Sequence, residues 1–320
     1  MKDSFPLVSI GVASYNNATF IRETLNSIKG LDYPNLEIII IDDASRDNSV
    51  AVIKEWLLEN TELNIQLIAQ SENQGLCHVC NVFIDASHGK YVCLIGSDDI
   101  YLPHKLALQV PLLEAAGPTV GVVFSDLSKI DPTGNITVPS IYATGQISPS
   151  EGDAWLALLR TNFIGTMTTL VRRSCLEAVG PYDESLAYED WDMWLRLARV
   201  CQFAYHPEIT ALYRIHGKSF MNERYRQVVE SNLRILSKNI GISAEGDAVI
   251  QQQFFQYSEE IYRLGSTESV RWLQERQRLY HDRRGLALLW LARLGVPANA
   301  LVWVKARLGR LLNSASTPAS

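Results

Sequence analysis

Three places in the sequence put carboxylates side by side: Asp42-Asp43, Asp98-Asp99 and Glu189-Asp190. The middle pair has the most telling surroundings. Tyr91 to Gly96 is an apolar run of strand length, the two acids follow, and Pro103 suits the first turn of the next helix. In an open α/β sheet, ligands bind beyond the carboxyl ends of the strands, so Asp98 and Asp99 would face the crevice. Adjacent carboxylates repel, and a tip that presents two of them suits a cation. Oxygen-only ligands favour Mg2+ or Mn2+, and Mg2+ keeps waters and shares its shell with substrate phosphates. The competing reading is a solvated turn in which Asp caps the following helix.

The elements needed to hold these acids are legible. Leu7 to Ala13 reads as a strand, closed by Ser14-Tyr15-Asn16-Asn17. Ala18 to Ile28 has helical spacing, and Leu36 to Ile41 is the β-branched run of a strand covered on both faces. A helix follows from about Asn48 to Leu58, then a strand over 64–69, a helix over 76–86 and the strand that carries Asp98 and Asp99. Four strand–helix alternations in about 100 residues predict a parallel, doubly wound sheet. Beyond Pro103 come a helix to about Ala116, a strand over 120–130 and a turn at Asp131 to Asn135. The order then loosens: a loop over 139–149, a helix over 153–159 and a strand over 168–171. Glu189 to Ala198 is helical by spacing, a strand is expected near Thr210 to Arg214, and helix is expected from about Glu223 onward.

Composition narrows the function classes. The 320 residues are 47% hydrophobic and 20% charged, as in an ordinary globular chain. The net charge of −6 is uneven, because residues 271–310 hold nine Lys/Arg against two Asp/Glu. An acidic body argues against nucleic-acid binding and fits a divalent-metal site. Five cysteines read as reduced thiols and point to the cytoplasm, and Cys77-His78-Val79-Cys80 has no second pair to make a zinc site. No secretory signal is read at the amino end, and no apolar run approaches the roughly 20 residues of a spanning helix.

Taken together, Val8 to Asn16, Ile38 to Ser45, Asn73 to Asp99, Glu189 to Arg196 and Tyr213-Arg214-Ile215-His216 resemble, in order and spacing, the family 2 glycosyltransferases of the GT-A fold. The resemblance covers roughly residues 6–220. It implies a Rossmann-like, mostly parallel central sheet, here with a C-terminal helical extension. The expected divisions are 1–125 for the nucleotide-sugar half, 126–222 for the acceptor half and 223–320 for the extension. It also implies a nucleotide-diphosphate sugar donor (UDP-, dTDP- or GDP-linked), a saccharide or lipid-linked acceptor, Mg2+ or Mn2+, and inversion at the anomeric carbon.

Carried over by motif, Ala13 and Tyr15 would sit by the base, with Asp43 accepting a hydrogen bond from it. Asp98 would lie on the ribose side. Asp99 would bind the metal that bridges the diphosphate, and His216 would complete that site or contact the diphosphate. Asp190 would be the general base, and the resemblance implies a place in cell-surface polysaccharide synthesis. Bland roles stand beside these: a helix cap for Asp43, a first-turn acid for Glu189, a loop histidine for His216, packing for Trp191, Trp194 and Tyr101. Gly96 stands where many members carry an acid, and Cys80 where many carry Arg. The diphosphate's neutralising charge is therefore sought at Arg172, Arg173, Arg214 and Lys218.

Two other classes are weighed. Asp43 and Asp98 superficially resemble a phosphoacceptor signalling domain, but the chain length and the Glu189-Asp190 segment oppose it. A non-catalytic sugar-nucleotide-binding or scaffold protein would keep the fold without needing Asp99, Asp190 and His216 together. The basic tail, with Trp290 and Trp303 among Arg and Lys, is expected to be an attachment module. Peripheral contact with the inner face of a membrane and self-association, or packing on the core, are its open outcomes.

Overall fold

Near-continuous apolar strands can be buried only between two covering layers, and that requirement organises residues 5–217. The computed structural model describes residues 5–217 and 224–298. The chain divides into two compact units, Met1–Glu223 and Arg224–Ser320.

In the first unit, β1 (Val8–Ser14), β2 (Leu36–Asp42), β3 (Ile65–Ala69) and β4 (Tyr91–Gly96) are parallel and lie in the order β3-β2-β1-β4. They are joined by α1 (Ile21–Lys29), α2 (Ser49–Glu59) and α3 (Leu76–Ala86). Ile38 to Ile41 are all buried, as a doubly covered strand requires. Gly11 allows α3 its close approach to β1, since a Cβ there would lie 2.6 Å from the Phe83 ring. The chain runs from β1 to β2 and β3 on one side and returns to β4 on the other. The carboxyl end of β1 is therefore the switch point where a crevice opens.

The sheet continues through β8 (Leu170–Arg172), β6 (Val120–Ile130), β9 (Gln202–Arg214) and the two-residue β5 (Ile100–Tyr101), with β7 (Ile136–Val138) on β6. Here the pairing is mixed: β8 is antiparallel to both β4 and β6, and β6 is parallel to β9. The division expected at 125/126 falls inside β6. Around this half lie α4 (Lys105–Ala116), α5 (Trp155–Arg160), α6 (Arg173–Val179) and α7 (Asp190–Leu197).

The strand expected at 210–214 begins eight residues earlier, at Gln202. His206, Pro207 and Glu208 hide it in sequence, and the structure accommodates them as a bulge where the β6–β9 register shifts. Behind the sheet, Lys105 is wholly buried, donating to Gln109 Oε1 at 2.8 Å and the Thr169 carbonyl at 3.1 Å. Burial pushes its ammonium down to about 8.

The second unit is helical, as expected: α8 (Tyr225–Lys238), α9 (Ala244–Arg263), α10 (Ser269–Tyr280) and α11 (Arg283–Arg293). Ser243 caps α9 and Asp282 caps α11, each accepting the N–H three residues on. Buried Arg276 ties the unit together through Asp282 at 2.7 Å and Glu259 at 3.2 Å. No described helix is long and apolar enough to cross a membrane. Trp303, Lys305, Arg307 and Arg310, like Lys218, lie outside the described residues.

Candidate active site

The crevice is walled first by the loops after β1 and β2, which are laced together. Asn16 N–H donates to Ser45 Oγ and Arg46 N–H to Asn16 Oδ1, while Asn17 and Ala18 donate their N–H groups to Ser49 and Asp47. Two residues take left-handed backbone to achieve this, Asn16 at φ 53° and Ala44 at φ 60°. Asp42 is a staple, accepting from Ser14 Oγ, Ser45 Oγ and Ser45 N–H. Asp43 does not cap α2. Its carboxylate accepts from Asn73 Nδ2 (2.8 Å), Gln74 N–H (2.8 Å) and Gly75 N–H (2.9 Å), pinning the turn that opens α3. Three of about four lone-pair positions are filled, which leaves one for a ligand. Ala13 pairs with Ile41 and Gly96 at this strand edge, and Tyr15 stands 38% exposed beyond it.

The tip of β4 supplies the second wall. Ser97 N–H donates to the Ala13 carbonyl and Asn17 Nδ2 to Ser97 Oγ, fixing the tip against β1. Asp98 Oδ2 lies 2.9 Å from His216 Nε2. Asp99 is buried and accepts the Arg214 N–H on Oδ1 at 2.9 Å, and its own carbonyl accepts from Thr24 Oγ1. Burial and then the neighbouring Asp98 push the Asp99 carboxyl well above the usual range. Gly96 is part of this arrangement, because a Cβ there would sit 2.8 Å from Asp98 Oδ1. A side chain at that position would require the Asp98 carboxylate to shift from where it meets His216.

The third wall is the start of α7. Glu189 Oε1 accepts from Thr166 Oγ1 at 2.7 Å. Asp190 is the first residue of the helix, and its Oδ1 is buried with no hydrogen-bond partner among the described residues. Burial, and next Glu189, push the Asp190 carboxyl up to about 8, against a hydrogen bond from the Asn162 side chain. Trp191 and Trp194 are buried, with their indole N–H groups donating to the carbonyls of Leu158 and Ile164, so both are core residues. Tyr213 shows that the walls converge. Its phenol is pushed up to about 12 by burial and then by Asp99, Asp98, Asp190 and Glu189 in turn.

The arginines do not take the role sought for them. Arg172 and Arg173 stand at the opposite end of β4 from its acidic tip, and both donate to main-chain carbonyls there. Arg214 is buried and donates to the Asp98, Asp131 and Pro132 carbonyls, with a 2.6 Å ion pair to Glu23. It braces the acidic tip from behind, and its burial is invisible in sequence. Thr24, Thr166 and Asn162, which touch the three acids, carry no motif that would single them out. Among the described residues no three His, Cys, Asp or Glu groups gather closely enough to hold a metal alone.

Against known proteins, a family model described as "Glycosyl transferase family 2" matches residues 9–179, and one described as "Glycosyltransferase like family 2" matches 151–244. An uncharacterized glycosyltransferase of Rickettsia prowazekii is 28% identical over 226 residues, covering 70% of this chain and 69% of its own. Among solved structures, S. aureus TarS 1–349 with UDP-GlcNAc superposes with a TM-score of 0.67 at 18% identity, over 91% of this chain and 88% of that one. The mannosyltransferase PcManGT of Pyrobaculum calidifontis, with GDP-Man and Mn2+, gives 0.61 at 19% identity, over 94% and 84%. At such identities the likeness shows the fold alone.

Proposed function

The chain belongs to the family 2 glycosyltransferases, and from that premise we propose that it moves a sugar from a nucleotide-diphosphate donor to an acceptor hydroxyl with inversion. The observation that carries this reading is Asp190: a buried carboxylate with one oxygen unpartnered among the described residues, near enough to Tyr213 to act on its phenol as the Asp98-Asp99 tip does. Inversion in one displacement requires a base on the face opposite the leaving group, with a basicity near the working pH. Burial and the Glu189 charge give Asp190 that basicity. Its Oδ1 takes the acceptor proton as the hydroxyl oxygen forms the new bond to the anomeric carbon and the nucleoside diphosphate departs.

The leaving group carries two phosphates, and the guanidinium of Arg214, the arginine beside the tip, is engaged by the Asp98, Asp131 and Pro132 carbonyls and by Glu23. Asp99, buried beside a second acid, fits a divalent cation in its place, with His216 adjoining through Asp98. Asp99 and His216 would hold such an ion, Mg2+ or Mn2+, which would supply Lewis-acid stabilisation of the departing diphosphate. The remaining acceptor position of Asp43 suits an N–H of the base, Ala13 and Tyr15 line the same edge, and Asp98 reaches the ribose side. PcManGT binds GDP-Man with Mn2+ and TarS binds UDP-GlcNAc, which supports a nucleotide-sugar donor without choosing the nucleotide. A saccharide or lipid-linked saccharide, in cell-surface polysaccharide synthesis, is the proposed acceptor.

A screen of UDP-, dTDP- and GDP-sugars for Mn2+-dependent thermal stabilisation tests this. The cognate donor at 100 times its Kd should add about 2.7 kcal/mol. Asp99→Ala should abolish the Mn2+-dependent part and leave the unliganded protein folded. Stabilisation by none of them, or stabilisation indifferent to both Mn2+ and Asp99, would overturn the reading.

A further inference from the structure

α11 is apolar on two opposite faces, and the second unit covers only one of them. Its inner face is buried through Gly285 and Leu289, the latter clustered with Tyr262 and Leu273. On the outer face Leu286, Trp290 and Leu294, four residues apart, are 42%, 57% and 73% exposed. Helical spacing puts Arg283 and Arg293 along the same stripe. Arg284 lies to one side and is paired with Glu259 at 2.5 Å. A helix of this kind, with an apolar stripe carrying a central Trp and flanked by arginine, has the composition of one that lies in a lipid–water interface.

Charge selects the occupant. From Arg283 to Ser320 the sequence has six Lys/Arg and no Asp or Glu, whereas the rest of the chain is strongly acidic. A second copy meeting this face through a two-fold axis would set like charge against like charge. An anionic lipid surface offers the opposite sign over an extended plane, and it accepts the apolar stripe without a shaped pocket. We propose that the Leu286–Trp290–Leu294 face of α11 docks the protein peripherally on anionic phospholipid. The inference is independent of the transferase reading.

The test is sedimentation of the full chain with vesicles of phosphatidylcholine alone and of phosphatidylcholine with phosphatidylglycerol in equal parts. The protein should pellet with the mixed vesicles at low salt and be released by high salt. Replacing Leu286, Trp290 and Leu294 together with Ser should weaken partitioning by about tenfold or more. The double change Arg283→Glu and Arg293→Glu should do the same, by about tenfold, through charge alone. Circular dichroism would confirm that each variant retains its helices, and the donor-binding assay should be unchanged in both. Recovery of the wild-type chain in the supernatant at low salt would overturn the proposal. So would equal binding to both vesicle types, or undiminished binding by both folded variants. A dimer in light scattering that the Ser variant dissociates would also overturn it, assigning the face to a second copy.

Discussion

The acid pairs at β2 and at α7 look alike in sequence and differ in how their oxygens are satisfied. Asp42 and Asp43 are both buried, yet each carboxylate accepts three hydrogen bonds from loops of its own chain. Asp190 draws the Asn162 side chain and the main-chain N–H groups of Trp191 and itself, yet its Oδ1 is buried with no partner among the described residues. A satisfied carboxylate holds its charge cheaply and serves structure and recognition. An unsatisfied one is costly to ionise, becomes basic, and can take a proton from something else. The same residue type is thus a staple at a strand end and, in the proposed mechanism, a base at the start of a helix, decided by burial and by whether every carboxylate oxygen finds a donor.

The sharpest way to break this contrast is at Asp190. Asp190→Asn should lower kcat by roughly the 10²–10⁴-fold that general-base help supplies, with donor binding retained. In the wild type, kcat/KM should rise with pH through the range of a carboxyl displaced to about 8 and level off above it. The sign follows from the ionised form being the base. The Asn variant should lose that limb while its thermal midpoint holds or rises, because the fold keeps the wild-type carboxyl protonated where the unfolded chain would ionise it, a cost that asparagine lacks. A variant with near-normal turnover and an unchanged pH profile would move the base elsewhere.

How much of this was legible depends on where the cause lies. The strands at 36–42, 91–96 and 120–130 and the helix at 76–86 follow from local apolar patterning, and sequence reading finds them almost to the residue. The front of β9 was missed because Pro207 and its polar neighbours carry the local signal of a turn, and only pairing with β6 overrides it. In the site, the acids themselves were found by motif, but not their electrostatic states. The donors to Asp43 are main-chain groups some thirty residues away, and no side-chain pattern announces a backbone N–H. Arg214 was a candidate for the diphosphate's charge for the same reason: a guanidinium next to an active-site motif looks available until its carbonyl partners are known.

At the satisfied pair the expected effect is on stability. Asp43→Ala would leave the Gln74 and Gly75 N–H groups and the Asn73 amide without their charged acceptor. The cost should be about 3 kcal/mol, given that hydrogen bonds to charged groups contribute roughly 1.5–3 kcal/mol each and water will recover part of the loss. Chemical denaturation should show a lower midpoint at constant slope. Donor affinity should fall with it as the turn before α3 loosens. A variant of unchanged stability would mean that Asp43 serves the ligand alone, and the contrast with Asp190 would collapse.

The smallest effect tests whether the β2 loop is held under strain by those same bonds. Ala44 directly follows the two stapled aspartates at φ 60°, a conformation that costs an L-residue about 1–2 kcal/mol. Glycine takes it freely but adds about 0.4–1 kcal/mol of unfolded-state entropy. The strain relieved exceeds the entropy added, so Ala44→Gly should stabilise the protein by a net of under about 1 kcal/mol. The informative measurement is the double variant. If Asp42 and Asp43 hold Ala44 in place, removing Asp43 lets the loop relax, and the gain from glycine should shrink in the Asp43→Ala background. A gain that adds independently in both backgrounds would locate the constraint in the Asn16–Ser45–Arg46 lacing instead. Asn16, itself at φ 53°, would then be the position at which the loop's backbone is fixed.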